Sequence, residues 1–419
     1  MLFPHPLRAL NHRDYRFYIA GLLISQVGSW MQSVAQAWLV LSLTGSAFKL
    51  GLVASLQFAP LLALGLFAGA LSDRLPKKPL ILTTQAVLMA QAFLLAALVW
   101  SGQVRYWQVL GLALLFGLAN ALDIPARQAF LKEMVGRQDL GNAIALNSAA
   151  FNTARVVGPA LAGLVVGAYG VALAFLLNGL SFLAVFLALA RVQAHGLPAG
   201  APGSSMLADV RQGVRFALGH PRISRVLKML GAVSLFVLNY NVLVPLLARQ
   251  SLHLEARGFG MLMGCVGLGA VAGAWAVAVL GRHRPRLQDL LAPGLALSTV
   301  AMALAAVQTV WAAAAGLFLM GFCQIAFTAG CNTTVQMRSP DALRGRVMSL
   351  YTVVFAGSTP LGAFLMGVVT ELGGARAGFL LGGAAGMACL LSLVPWTQVR
   401  LLRGVRRPAA EGVPPCSAA

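Results

Sequence analysis

Long unbroken apolar runs, and not an alternation of apolar and polar positions, dominate the chain. Twelve of them approach or exceed the roughly 20 residues that a membrane-spanning helix needs. They cover residues 16–41, 50–72, 79–101, 106–124, 140–168, 171–190, 224–248, 259–281, 288–309, 311–333, 347–370 and 374–398. Runs of this length predict an all-α integral membrane protein with twelve transmembrane helices. They exclude a closed barrel, whose strands alternate over about 10 residues. The longest polar break, near 191–223, separates six runs from six. It opens with the Gly-, Pro- and Ser-rich stretch 195–205, which reads as flexible. Met206, Val210, Val214 and Ala217 then recur at helical spacing opposite Asp209, Arg211 and Arg215, predicting an amphipathic helix on the membrane surface. The predicted organisation is a first six-helix half over 1–193, a linker over 194–223, a second half over 224–398 and a tail over 399–419.

Composition sharpens this picture. At 59% hydrophobic and 10% charged residues the chain is too apolar for a soluble domain. The formal charge of +20 is spread among short loops and forms no nucleic-acid footprint. Of the 31 basic residues, 25 fall on the side that holds both termini. Lys49, Arg105, Arg249, Arg257 and Arg376 fall on the other side, and Arg155 lies inside a helix. The excess predicts that both termini, the linker and the tail are cytoplasmic. The first run lacks a convincing cleavage site and is expected to stay as the first span. The 26 arginines against 5 lysines, with abundant Ala and Gly, fit a GC-rich bacterial genome and point to a bacterial inner membrane. The five cysteines have neither paired nor zinc-ligand spacing and read as small core residues. No metal or cofactor is expected. No nucleophile–base pair, dinucleotide motif or Walker lysine appears, so neither an enzyme nor a self-sufficient ATP-driven pump is predicted.

The halves echo each other. Gly158-Pro159 lies in the fifth run and Thr359-Pro360 in the eleventh, about 200 residues apart, the pattern of an internal repeat. Gly69-Ala70-Leu71-Ser72-Asp73-Arg74-Leu75-Pro76-Lys77-Lys78, between the second and third runs, closely resembles the G-x-L-x-D-R-x-x-[RK]-[RK] motif of the major facilitator superfamily. The second-half counterpart, Gly281-Arg282-His283-Arg284, lacks the acid. The stretch around Gly158-Pro159 partly resembles the G-x-x-x-G-P-x-x-G-G motif of exporters in that superfamily, with Ala154 and Ala162 replacing two glycines. Asp123 to Phe130, Asn147 to Pro159 and Arg344 to Ser349 are similar to the branch that contains the enterobactin exporter and macrolide efflux proteins. The resemblance implies two six-helix halves with the major facilitator fold. It also implies a cytoplasmic gate built from Gly69, Asp73, Arg74, Lys77, Lys78, Gly158, Pro159, Arg344 and Arg346.

Arg155 is the charge at mid-depth, and Asp123 is the only acid placed within the first six runs. Arg155 lies about 15 residues into the fifth run, near mid-depth at 1.5 Å per residue. A charge there costs at least about 2.5–3.5 kcal/mol and marks a functional site by default. The alternatives are a structural pair with a neighbouring helix or snorkelling. Asp123, near the inner end of the fourth run, is the first candidate for a titrating group in a proton antiporter, with Arg155 its companion in coupling, or else an acid paired with Arg127. The pattern R-x-x-x-G of many drug–proton antiporters has Ala113 in place of its Arg here. Gln26, Ser29, Ser33 and Gln36 form one stripe on the first helix, beside Trp30. With Asn152, Arg155, Asn239, Tyr240 and Gln324 they are the candidate lining of a substrate cavity. The expectation is a monomeric secondary exporter of amphipathic small molecules, driven by protons and embedded in the bilayer. An importer or facilitator of the same fold, or a non-transport membrane protein, are the alternatives.

Overall fold

A computed structural model describes residues 5–194, 206–280 and 287–393, except for the side chains of 5, 6, 66–70, 72, 73, 137, 206–210, 287, 288, 341, 342, 344, 345 and 349. The predicted tail, the stretch 195–205 and Gly281 to Arg284 lie outside the described residues. So do the side chains of Gly69, Asp73 and Arg344.

Every regular element among the described residues is helical. A short turn, His5–Asn11, leads into α1 (Arg13–Thr44), α2 (Ala47–Arg74), α3 (Lys77–Trp100), α4 (Tyr106–Tyr169) and α5 (Val171–Arg191). Then come α6 (Met206–Gly219), α7 (Pro221–Phe236), α8 (Tyr240–Leu246), α9 (Ala256–Leu280), α10 (Leu287–Leu304), α11 (Val310–Arg338) and α12 (Asp341–Ser392). Nine spans among the described residues are long and apolar enough to cross a membrane. The α12 stretch counts once in that number but holds two arms, because Gly374 takes φ 73° and turns the chain back. α4 likewise holds two arms hinged at Gly136, φ 70°, a left-handed conformation that glycine adopts without strain. In α1, polar side chains dilute the apolar run, and α10 is short. Counted as arms, these helices make the twelve expected crossings in two sets of six.

Several boundaries move. The fourth run was expected to end at residue 124, yet helix continues to the break at Gly136. Ala126, Phe130, Leu131, Met134 and Val135 pack there with Tyr15, Tyr18, Ile81, Val185 and Leu189. A window that stops at the first charges misses this amphipathic extension. Pro125 and Pro159 lie inside α4, and the only non-helical dihedrals reported within it are at Gly136. The seventh crossing is broken at 237–239 between α7 and α8, and it ends in a π-helical turn, Leu247–Ser251. The amphipathic linker helix is present as α6. Ala217 and Gly213 are buried, and a Cβ on Gly213 would meet Arg346, so the helix seats on the start of α12 as well as facing outward.

The ends of α1 and α12 define a terminal side, and the opposite ends a distal side. At the terminal side of the first half, the Asp14 carboxylate accepts from Gln193 and Ala194 N–H at 2.9 Å, and Lys78 Nζ donates to the Val192 carbonyl at 2.8 Å.

Candidate functional site

The two halves meet along two helix pairs, α2 with α12 and α4 with α9. The ties lie toward the distal side. Ser46, which caps α2, donates its hydroxyl to Glu371 at 3.0 Å, and Phe48 N–H donates to the same carboxylate at 3.0 Å. A carboxylate at a helix N-terminus meets unpaired N–H groups and the positive end of the helix dipole. One turn further in, a Cβ on Gly51 would stand 2.8 Å from Gly367 Cα. Ser55 Oγ then donates to the Pro360 carbonyl at 2.6 Å. In the other pair, a Cβ on Gly163 would lie 2.8 Å from Gly260 Cα. Small residues let these backbones touch, which is how helices associate where no hydrophobic force separates them from lipid. Trp38 of α1 stacks on Phe259 of α9 at 6.0 Å and carries the Arg249 guanidinium over its ring.

Just inside this seam Ser33, Val34 and Ala37 face Asn241, Phe259 and Met263 across a recess with room for about one water. It brings one predicted residue, Ser33, to the boundary between the halves.

Helix α1 proves to carry two polar faces. Gln32 donates to Gln91 Oε1 at 2.9 Å and accepts from Asn178 Nδ2 at 2.7 Å. Ser181 donates to Asn178 Oδ1 at 3.1 Å. This buried amide ladder ties α3, α1 and α5 together, and sequence reasoning did not single out Gln91, Asn178 or Ser181. Their only signal was being uncharged polar residues in apolar runs, which usually hydrogen-bond across helices. The other face carries the predicted stripe: Gln26, Trp30 and Ser33 are half-buried and Gln36 is buried.

Asp123 is 5% exposed and is held on both oxygens. Arg127 Nε lies 2.5 Å from Oδ2, while Thr84 Oγ1 and Gln85 Nε2 donate to Oδ1 at 2.7 and 3.1 Å. The Arg127 guanidinium also sits over the Tyr18 ring at 6.0 Å. Asp123 thus pairs with Arg127, the i,i+4 neighbour, and joins α1, α3 and α4.

The other predicted gate residues fall as follows. Lys77 is buried and reaches Glu133 at 3.2 Å, and Arg74 is exposed at the end of α2. Arg346 donates to Gln212 of α6. Gly158 lets α4 lie against α1: its Cβ would meet Trp30 Cβ at 2.5 Å. Pro159 stands next to that contact, and its carbonyl faces Gly260. At the terminal start of this arm, His12 and Arg8 converge on Asp139 at 2.8 and 3.4 Å, and Tyr15 bonds Asn147 at 3.0 Å.

A different pattern marks the middle of the bundle. Arg155 is 7% exposed, and its Nε and Nη2 have no hydrogen-bond partner. Both amide atoms of Gln36, Asn239 Oδ1 and Gln324 Oε1 are also buried without partners. All four residues were predicted for the cavity. Buried polar atoms are almost always paired; here Gln85 Oε1, Gln91 Nε2, Arg127 Nη1 and Ser234 Oγ are also without partners, so the state extends beyond the predicted lining. Tyr240 is buried beside Asn239, while Asn152 bonds back to the Ser148 carbonyl within α4 at 2.8 Å. Trp30 packs edge-on against Phe151 at 5.7 Å.

Comparison with known proteins agrees with this architecture. The family model described as transmembrane secretion effector matches residues 5–407. The multidrug efflux pump Tap of Mycobacterium tuberculosis is 28% identical over 391 residues, covering 89% of this chain and 91% of that one. The enterobactin exporter EntS of Citrobacter koseri is 25% identical over 358 residues, covering 85% of each. Among solved structures, a POT family transporter in complex with a thioalcohol-conjugated peptide superposes with a TM-score of 0.74 at 10% identity, covering 92% of this chain and 96% of that one.

Proposed function

Since the chain belongs to the transmembrane secretion effector family of the major facilitator superfamily, we propose that it is a secondary exporter. It moves amphipathic small molecules, of antibiotic or siderophore type, out of a bacterial cell by proton antiport with alternating access. Export is the direction of the similar relatives, a multidrug efflux pump and an enterobactin exporter. Both termini lie in the cytoplasm, so the terminal side faces inward and the distal side outward.

The observation that carries the reading is the seam between halves. Glu371 on α2, Ser55 on Pro360 and Gly163 on Gly260 close it toward the distal side, around a mid-depth set of polar groups left unpaired. Two rigid halves joined by small residues on one side, around such a set, suit rocking about a central site. Asp123 takes the proton and Arg127 is released when it does, while Gln26, Trp30, Ser33, Gln36, Asn152, Arg155, Asn239, Tyr240 and Gln324 meet the substrate. Asp73, Arg74, Arg344 and Arg346 with the neighbouring lysines gate the inner side.

The test uses inside-out membrane vesicles with an acid interior and a panel of labelled antibiotics and siderophores. Accumulation that collapses with a protonophore is expected. Uptake indifferent to the gradient would replace proton antiport with facilitation or another ion, and net movement in the opposite direction would remove export.

A further inference from the structure

Among the described residues, no acid lies within ion-pair distance of the Arg155 guanidinium. Among the described acids, Asp123 is held by Arg127, Glu133 by Lys77, Asp139 by Arg8 and His12, and Glu371 by the start of α2. Asp14 caps the chain after α5. Nothing described lies within ion-pair distance of Arg155, although its side chain is 7% exposed and sits near the middle of its membrane arm. Arginine keeps its proton in proteins, so neutralisation by proton loss is not available. The two orphaned nitrogens, Nε and Nη2, form one edge of the planar group, with both N–H donors pointing the same way. That edge matches the two oxygens of a carboxylate or a similar oxyanion.

We propose that Arg155 anchors an anionic head group, so that the transported molecules are amphipaths carrying a carboxylate or comparable oxyanion. The inference rests on the export reading above and narrows its substrate class. Gln36 keeps a free donor and acceptor, and Asn239 and Gln324 a free acceptor each, for neutral polar atoms of a ligand. Trp30 and Phe151, edge to face at 5.7 Å on α1 and on the same arm as Arg155, offer an apolar surface for its body. A buried cation left unpaired is costly, and an incoming anion recovers that cost only while it is bound. The site therefore favours acids over neutral or cationic molecules of the same shape.

The experiment measures binding, independently of flux. The purified full-length chain in detergent is titrated with 1-pyrenebutyrate and with its neutral isostere 1-pyrenebutyramide, read by energy transfer from tryptophan. The acid is expected to bind about tenfold more tightly than the amide, a typical worth for a charge-assisted pair. Arg155→Gln is expected to erase the preference, and Arg155→Lys to keep part of it, with thermal unfolding confirming that both variants are folded. Equal binding of acid and amide by the unmodified chain, absence of binding by either, or a preference that survives in Arg155→Gln overturns the proposal. A preference present in gluconate buffer and lost in chloride would assign the cation to an inorganic anion, which also overturns it. Selective acid binding without outward flux in vesicles would instead leave the anion site standing and remove export.

Discussion

Ser55 of the first half donates its hydroxyl to the carbonyl of Pro360 in the second, at 2.6 Å. The bond crosses from α2 to α12 one turn inward of the place where Gly51 and Gly367 bring the two backbones together. Removing it by Ser55→Ala is expected to cost about 1 kcal/mol of closure. Gly51→Val should cost more, because its side chain has no room between the helices. Spin labels on exposed distal residues of α2 and α12 would read the change as a population shifted to longer distances. Unchanged distances in Gly51→Val would mean that this surface is not the one that closes.

Glu371 works on the same seam by charge. Its carboxylate meets Ser46 and the Phe48 N–H at the start of α2. Glu371→Gln keeps the size and some acceptor capacity but removes the charge facing the helix dipole, a loss of about 0.3–1 kcal/mol. The distal distances should lengthen by a smaller fraction than in Gly51→Val. Combined with Ser46→Ala the effects should not add, because the two side chains share one interaction. Additive shifts would separate them.

The Asp123–Arg127 pair makes a prediction about stability and coupling together. Asp123→Ala strands a buried guanidinium and is expected to cost about 3–5 kcal/mol. The double variant Asp123→Asn with Arg127→Gln removes both charges and should recover much of that loss in thermal unfolding. If Asp123 takes the driving proton, the double variant exchanges substrate down its gradient but no longer accumulates it against one. Accumulation at the normal level in the folded double variant would leave the pair purely structural.

Gln32 holds two buried amides at once, Gln91 and Asn178. Gln32→Leu leaves both without that partner. Interhelical hydrogen bonds in membranes average about 0.6 kcal/mol with maxima near 1.7, so a loss of about 1–3 kcal/mol in detergent unfolding is expected. Substrate preference should stay unchanged, because the ladder faces α3 and α5. A changed preference would move Gln32 into the binding surface.

Much of the fold was legible because a spanning helix satisfies its own backbone and meets lipid with its side chains, which leaves a long apolar run in the sequence. The extension of α4 to Val135 was not, because Lys132 and Glu133 interrupt the apolar run; they stay exposed while Phe130, Leu131 and Met134 pack at the terminal side. At the candidate site the residue types were legible. Arg155, Gln36, Asn239 and Gln324 are polar groups in apolar runs, and each keeps at least one buried polar atom without a partner. Their neighbour Gln32 looked the same in sequence and is fully hydrogen-bonded.

The sequence by itself determined the helical class, the number of crossings and the family, since each depends on local composition and spacing. Only the tertiary structure decided which polar side chains find one another. Asp123 chose Arg127, Gln32 chose Gln91 and Asn178, Glu371 chose the start of α2, and Arg155 was left alone. Helical periodicity fixes the face on which a side chain stands, but a partner on another helix depends on how the arms pack. That packing is set by glycine contacts such as Gly51–Gly367 and Gly163–Gly260, whose members lie far apart along the chain.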